Sequence, residues 1–128
     1  MVSIMDKKIS VSTRFHSWAE DDFSLSLNLN ELIVQHPAAT FFMRVKGDAM
    51  LDAGVSSGDI LVIDRALSLA NNKIIVARLD GQLIVRRVQL VAGALILMGD
   101  EKQCPPITVT ADRDFEVWGV VTYIIRQT

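Results

Sequence analysis

From Thr40 onward the chain is written in short apolar runs, rich in β-branched and aromatic residues and broken by turn formers. The runs are Thr40–Lys46 (TFFMRVK), Ile60–Asp64 (ILVID), Lys73–Leu79 (KIIVARL), Leu83–Leu90 (LIVRRVQL), Leu95–Met98 and Phe115–Ile125 (FEVWGVVTYII). Runs of this length and composition read as strands. Asp80–Gly81 separates two of them, and both residues tolerate positive φ, which is the strongest short-range hairpin signal. Ser57–Gly58–Asp59 marks another turn before ILVID. About six short strands at close spacing predict a mainly β domain with rolled, partly open sheets. One helical turn is expected after Gly47, around Asp48–Leu51.

The first part of the chain is less determined. Residues 1–24 are polar and mixed in sign, with no sustained periodicity. They predict a flexible N-terminal arm, with a short edge strand around Ile9–Val11 as the alternative. Leu25, Leu27 and Leu29 alternate with Ser26, Asn28 and Asn30, which suits a strand. Asn28 suits equally well the cap of a short helix carrying Leu32 and Ile33. His36–Pro37 ends either element, because a residue before proline avoids the α region. The expected division is an arm over residues 1–24 and one domain over residues 25–128.

Bulk properties narrow the function classes. The chain has 128 residues, 50% of them hydrophobic and 22% charged, a globular profile. Its formal charge of −2 argues against binding nucleic acid by charge alone. One cysteine, Cys104, excludes an internal disulfide and any cysteine-based metal site, and suits a reducing, cytoplasmic setting. No signal-peptide pattern and no apolar run of membrane-spanning length is present. No cofactor or metal is expected. Asp48, Asp52, Asp59 and Asp64 fall at turns, where aspartate bonds its own backbone. His36 is expected to cap or pack, and His16 has no evident partner. Ser56, Ser57 and Ser68 lack a supporting lysine or histidine.

The segment Val45–Asp64 (VKGDAMLDAGVSSGDILVID) resembles the LexA/UmuD family of self-cleaving serine–lysine peptidases. The family pattern is Gly-Asp-Ser-Met, then a glycine, then Gly-Asp, then an apolar strand ending in Val-Asp. Gly47, Asp48, Met50, Gly54, Gly58, Asp59 and Asp64 match it. The resemblance runs from about Leu29 to Ile125 and leans toward the UmuD branch, in Leu29–Leu32, Gln35–Pro37, Ala39–Thr40, Asp80–Gly81 and Gly119–Val121. It implies a LexA/UmuD-type C-terminal peptidase domain. It also implies a serine nucleophile activated by a lysine that burial has neutralised.

The departures from that pattern lie at the chemistry. Ala49 stands at the serine position and has no hydroxyl. Arg86, 37 residues later, stands at the lysine position, where the family reads Val-Lys-Lys or Val-Lys-Arg. Arginine keeps its proton in proteins throughout the working pH range, so it is no general base. The family's own cleavage bond joins a small residue to glycine, whereas a gap-free count places Thr13–Arg14 there. The loss of both halves of the dyad together points to an inherited change, with a laboratory substitution at Ala49 as the alternative.

The expected protein is therefore a non-cleaving UmuD-like subunit of SOS error-prone translesion DNA synthesis. It acts by binding a Y-family (UmuC-like) polymerase and the RecA filament. The alternative is a decoy that forms mixed dimers with an active UmuD- or LexA-type homologue. A third reading, an active peptidase with another dyad, has no supporting residues. The resemblance further implies a homodimer, with Phe115, Val117, Trp118, Val120, Tyr123 and Ile125 as interface candidates. Arg44, Lys46, Arg86 and Arg87 form a basic strip if their strands pair. Too few residues precede the core for a helix-turn-helix domain, so sequence-specific DNA binding is not expected.

Overall fold

A computed structural model describes residues 8–9, 27–46, 54–99 and 105–128. The expected helical turn at Asp48–Leu51 lies outside the described residues. The chain divides into two compact units, residues 3–35 and residues 36–128, the second also taking in residues 1–2.

In the first unit, β1 (Lys8–Ile9) pairs antiparallel with β2 (Leu27–Asn28). Helix α1 (Leu29–Ile33) follows directly. The Asn28 side chain accepts from the N–H groups of Asn30 and Glu31, which have no partner inside the helix. Both readings of this stretch are thus realised in sequence, the strand first and the capped helix after it. Leu29 and Leu32 remain exposed.

The second unit is mainly β. A 3-10 turn at Pro37–Ala39 leads into β3 (Thr40–Arg44). There follow β4 (Ile60–Asp64), β5 (Ile74–Leu79), β6 (Gln82–Val91), β7 (Ala94–Met98), β8 (Ile107–Val109) and β9 (Phe115–Ile125). They form one seven-stranded antiparallel sheet in the order β3-β4-β9-β5-β6-β7-β8. Asp80 and Gly81 close the β5–β6 hairpin with φ of 50° and 85°. A second two-residue hairpin, Ala92–Gly93, joins β6 to β7 with φ of 49° and 80°. Sequence reading did not find it, because alanine is not a residue that favours positive φ. It also missed β8, three residues long behind Pro105–Pro106.

β9 runs through the middle of the sheet and is bulged against both neighbours. Its pairing with β4 skips Thr122, and its pairing with β5 skips Trp118. Each extra residue bends the strand and raises its twist. Between the bulges lies Gly119. A Cβ there would sit 2.5 Å from the Ile63 Cγ2 methyl and 3.2 Å from the Asp64 carbonyl oxygen. Only glycine lets β9 approach β4 so closely.

Alternation along the strands divides the apolar residues between two faces. One cluster holds Val45, Val55, Leu61, Ile63, Val76 and Val85. The Trp118 and Phe41 rings meet edge-on beside it, their centroids 6.4 Å apart. The other holds Ile75, Ala77, Leu79, Val88, Leu97 and Val120. Leu61, Val62 and Ile63 are fully buried. Each such side chain contributes about 1.5–3 kcal/mol through burial.

Candidate functional site

Position 86 is where the sequence first pointed to chemistry. Arg86 lies on β6 opposite Ile75 of β5. By alternation its side chain shares a face with Ile84 and Val88, and all three neighbours belong to the second apolar cluster. Arg86 is 6% exposed. Its Nη1 donates to the Val85 carbonyl oxygen at 2.9 Å, and its Nε is buried without an acceptor. Among the described residues no ion pair reaches it. Position 86 therefore carries a fixed positive charge inside an apolar face, and it cannot take up a proton as a base must.

The downstream half of the Gly-Asp motif is held by a different charge. Asp59 is 1% exposed. Its Oδ2 accepts from the Ser56 N–H at 2.8 Å. Arg126 grips both carboxylate oxygens, Nε to Oδ1 at 2.8 Å and Nη2 to Oδ2 at 2.7 Å. Nη2 also donates to the Gly54 carbonyl oxygen at 2.7 Å. The Arg126 guanidinium, above all by this hydrogen bonding, holds the Asp59 carboxyl below its ordinary range. The end of β9 is thus tied to the segment that follows the motif. Arg44, Ser57 and Gln127 join these residues around an open pocket of about 560 Å³.

Asp64, the last motif residue, is also buried. Its Oδ1 accepts from the Ala66 N–H at 2.8 Å, the local aspartate turn expected from sequence. Its Oδ2 lies 2.5 Å from His36 Nδ1. Burial pushes the Asp64 carboxyl up, but the His36 and Ala66 bonds outweigh it and leave it lowered. His36 stands at the cap of the 3-10 turn, yet its ring bonds Asp64 and makes no capping bond.

The Peptidase S24-like family matches residues 4–122 of the chain. The chain belongs to that family, the LexA/UmuD group. It is 38% identical over 114 residues to Protein MucA of Salmonella typhimurium, covering 88% of this chain and 77% of MucA. It is 37% identical over 115 residues to Protein ImpA of Shigella flexneri, covering 89% and 77%. LexA repressor 1 of Xanthomonas campestris pv. campestris is 37% identical over 87 residues, 68% of this chain and 43% of the repressor. The mainly β sheet is consistent with the S24 peptidase domain.

Of the family's motif positions, Gly47, Asp48, Ala49 and Met50 lie outside the described residues, as do Thr13, Arg14, His16 and Cys104. The six interface candidates on β9 divide. Val117, Tyr123 and Ile125 are exposed large hydrophobics, whereas Val120 is 2% exposed within its own chain. Phe115 and Trp118 pack partly buried against the two clusters. Both edges of β9 are already paired, so its free surface is a face and not an edge.

The basic strip does not form by strand pairing. β3, with Arg44, is an edge strand, while β6, with Arg86 and Arg87, is four places away in the sheet order. Arg86 is also buried, and Arg87 on the next position donates to the Asn72 carbonyl oxygen. Sequence reading missed Arg126. Its partner Asp59 is 67 residues distant, and no local pattern announces the pairing. Among the described residues no helix is long and apolar enough to cross a membrane.

Proposed function

We propose that this chain is a non-cleaving UmuD-like subunit of SOS error-prone translesion synthesis. It works in the cytoplasm by binding a Y-family (UmuC-like) polymerase and the RecA filament, not by cutting itself. The observation that carries this reading is the side chain at position 86. Self-cleavage needs an amine that can shed its proton next to a hydroxyl. The chain offers a guanidinium at one position and, at Ala49, a methyl group at the other. The likeness to MucA and ImpA over most of each protein supports placing it on the UmuD branch.

The test is co-purification of the full chain with a UmuC-like polymerase and, separately, with RecA on single-stranded DNA. Retention of the polymerase by the tagged chain is the expected result. Failure to hold either partner would remove the reading. Ala49→Ser alone is expected to leave the chain uncut, because the base is still missing.

A second reading rests on β9. Val117, Tyr123 and Ile125 present an apolar face that suits a homodimer, or a mixed dimer with an active homologue that blocks its processing. Tyr123→Asp is then expected to shift the chain toward monomer in light scattering. In a mixing assay, unchanged cleavage of an active UmuD- or LexA-type protein excludes the decoy role.

A further inference from the structure

The pocket beside the end of β9 brings two arginines onto one cavity. Arg44 ends the edge strand β3, and Arg126 follows the last residue of β9. Both line the open pocket of about 560 Å³. Their guanidiniums are anchored to consecutive residues of one turn. Arg44 Nη1 donates to the Gly58 carbonyl oxygen at 3.2 Å, while Arg126 Nε and Nη2 hold the Asp59 carboxylate. Like charges converge at a cost unless negative charge accompanies them. Asp59 is the only carboxylate in the lining, so two guanidiniums share one counter-charge. Its oxygens are already committed to Arg126 and the Ser56 N–H.

We propose that this pocket binds a phosphate group. The donors left over define the ligand class. Arg44 is exposed and keeps Nε and Nη2, and Arg126, 51% exposed, keeps Nη1. The Ser56 hydroxyl accepts from Arg126 Nη2 at 3.4 Å, which leaves its own proton to donate. Gln127 adds a side-chain amide. These donors come from three separate segments: β3, the turn before β4 and the residues after β9. A planar carboxylate is served by one guanidinium edge, whereas tetrahedral phosphate oxygens suit donors that surround them. The surplus of one positive charge in the lining matches a singly charged phosphate, the form every phosphodiester has. Both guanidiniums are held by protein acceptors before a ligand arrives, so little ordering cost remains. The cavity falls within the range of small-ligand sites, about 300–1,000 Å³, and Ile60 and Ile125 give it apolar wall beside the donors. Two sources carry this chemistry, the backbone of a single-stranded nucleic acid and a free phosphate or small phosphate ester. The site does not use position 86, and its loss would leave the polymerase and RecA reading standing.

The experiment is a titration of the full-length, 15N-labelled protein at constant ionic strength, following backbone amide resonances. The probes are inorganic phosphate and a single-stranded thymidine tetranucleotide without terminal phosphates. The amides of Ser56, Gly58 and Gln127 are expected to shift saturably. Arg44→Gln removes one charge without touching the Asp59–Arg126 pair, and binding should weaken at least tenfold. Arg87→Gln removes the same charge on β6, outside the pocket lining, and should leave binding unchanged. Tetranucleotide binding at least tenfold tighter than phosphate assigns the site to a nucleic-acid backbone. Comparable or tighter phosphate binding assigns it to free phosphate or a small ester. No saturable shift with either probe, or an equal loss of binding in Arg44→Gln and Arg87→Gln, overturns the proposal. Gln127→Ala gives a check from another segment. Binding should weaken at least threefold there, and undiminished binding in both Arg44→Gln and Gln127→Ala overturns the site.

Discussion

Asp59 and Arg86 are both almost sealed from solvent, at 1% and 6% exposure, but among the described residues the Asp59 side chain accepts three hydrogen bonds and the Arg86 side chain donates one. Asp59 has its counter-charge supplied by the end of β9. Arg86 sits on an apolar face with no counter-charge among the described residues. A buried charge with its full set of partners fixes a segment in place, whereas one without them marks a position where stability has been given up. In this chain the satisfied charge secures the segment behind the Gly-Asp motif, and the unsatisfied one occupies the place where the family's base is expected.

The comparison breaks most readily at Asp59. Asp59→Asn removes the charge that Arg126 and the Ser56 N–H hold, and is expected to lower unfolding free energy by about 3 kcal/mol at neutral pH, measured by urea denaturation. The difference should shrink in acid. Because the folded-state pKa of Asp59 is depressed, its contribution is present above the unfolded carboxylate pKa, about 4, and is lost as pH falls through the lower folded value. A gap between the two proteins that stays constant from pH 7 to pH 3 would show that ionisation of Asp59 is not what Arg126 stabilises.

Arg86→Met should have the opposite sign. With no anion present, an apolar side chain of similar length is expected to raise stability by about 1–2 kcal/mol in the same assay. A loss of that size instead would mean that the guanidinium is already balanced. The smallest effect is expected at the exposed pair of Arg78 with Asp114, 3.5 Å apart and 40% and 66% exposed. Asp114→Asn should change stability by no more than about 0.5 kcal/mol, and a larger loss would erase the distinction between buried and exposed charges on which the comparison stands.

Much of the fold was readable because its signals are local. Ile60–Asp64 and Phe115–Ile125 are strands over the residues their β-branched runs suggest, and Asp80–Gly81 makes the hairpin that its tolerance of positive φ allows. The Leu25–Leu29 alternation is a strand at Leu27–Asn28, after which Asn28 caps α1 and diverts the chain, while Leu25 and Ser26 lie outside the described residues. Ala92 was silent because its positive φ is imposed by the pairing of β6 with β7 and not by its own preference. At the candidate site, motif spacing pointed to Arg86 but said nothing of its burial. A Val-Arg-Arg-Val run reads the same whether the first or the second arginine points into the sheet's packed face. Arg126 and the His36–Asp64 contact depend on strand order, which local pattern does not carry.

The account rests on the absence of self-cleavage, and intact-mass spectrometry of the purified full chain measures that directly. After incubation with RecA, nucleotide and single-stranded DNA, and separately at alkaline pH, the mass is predicted to stay that of the whole chain. A species shortened at its N-terminus, formed by the folded protein and not by its unfolded form, would contradict it.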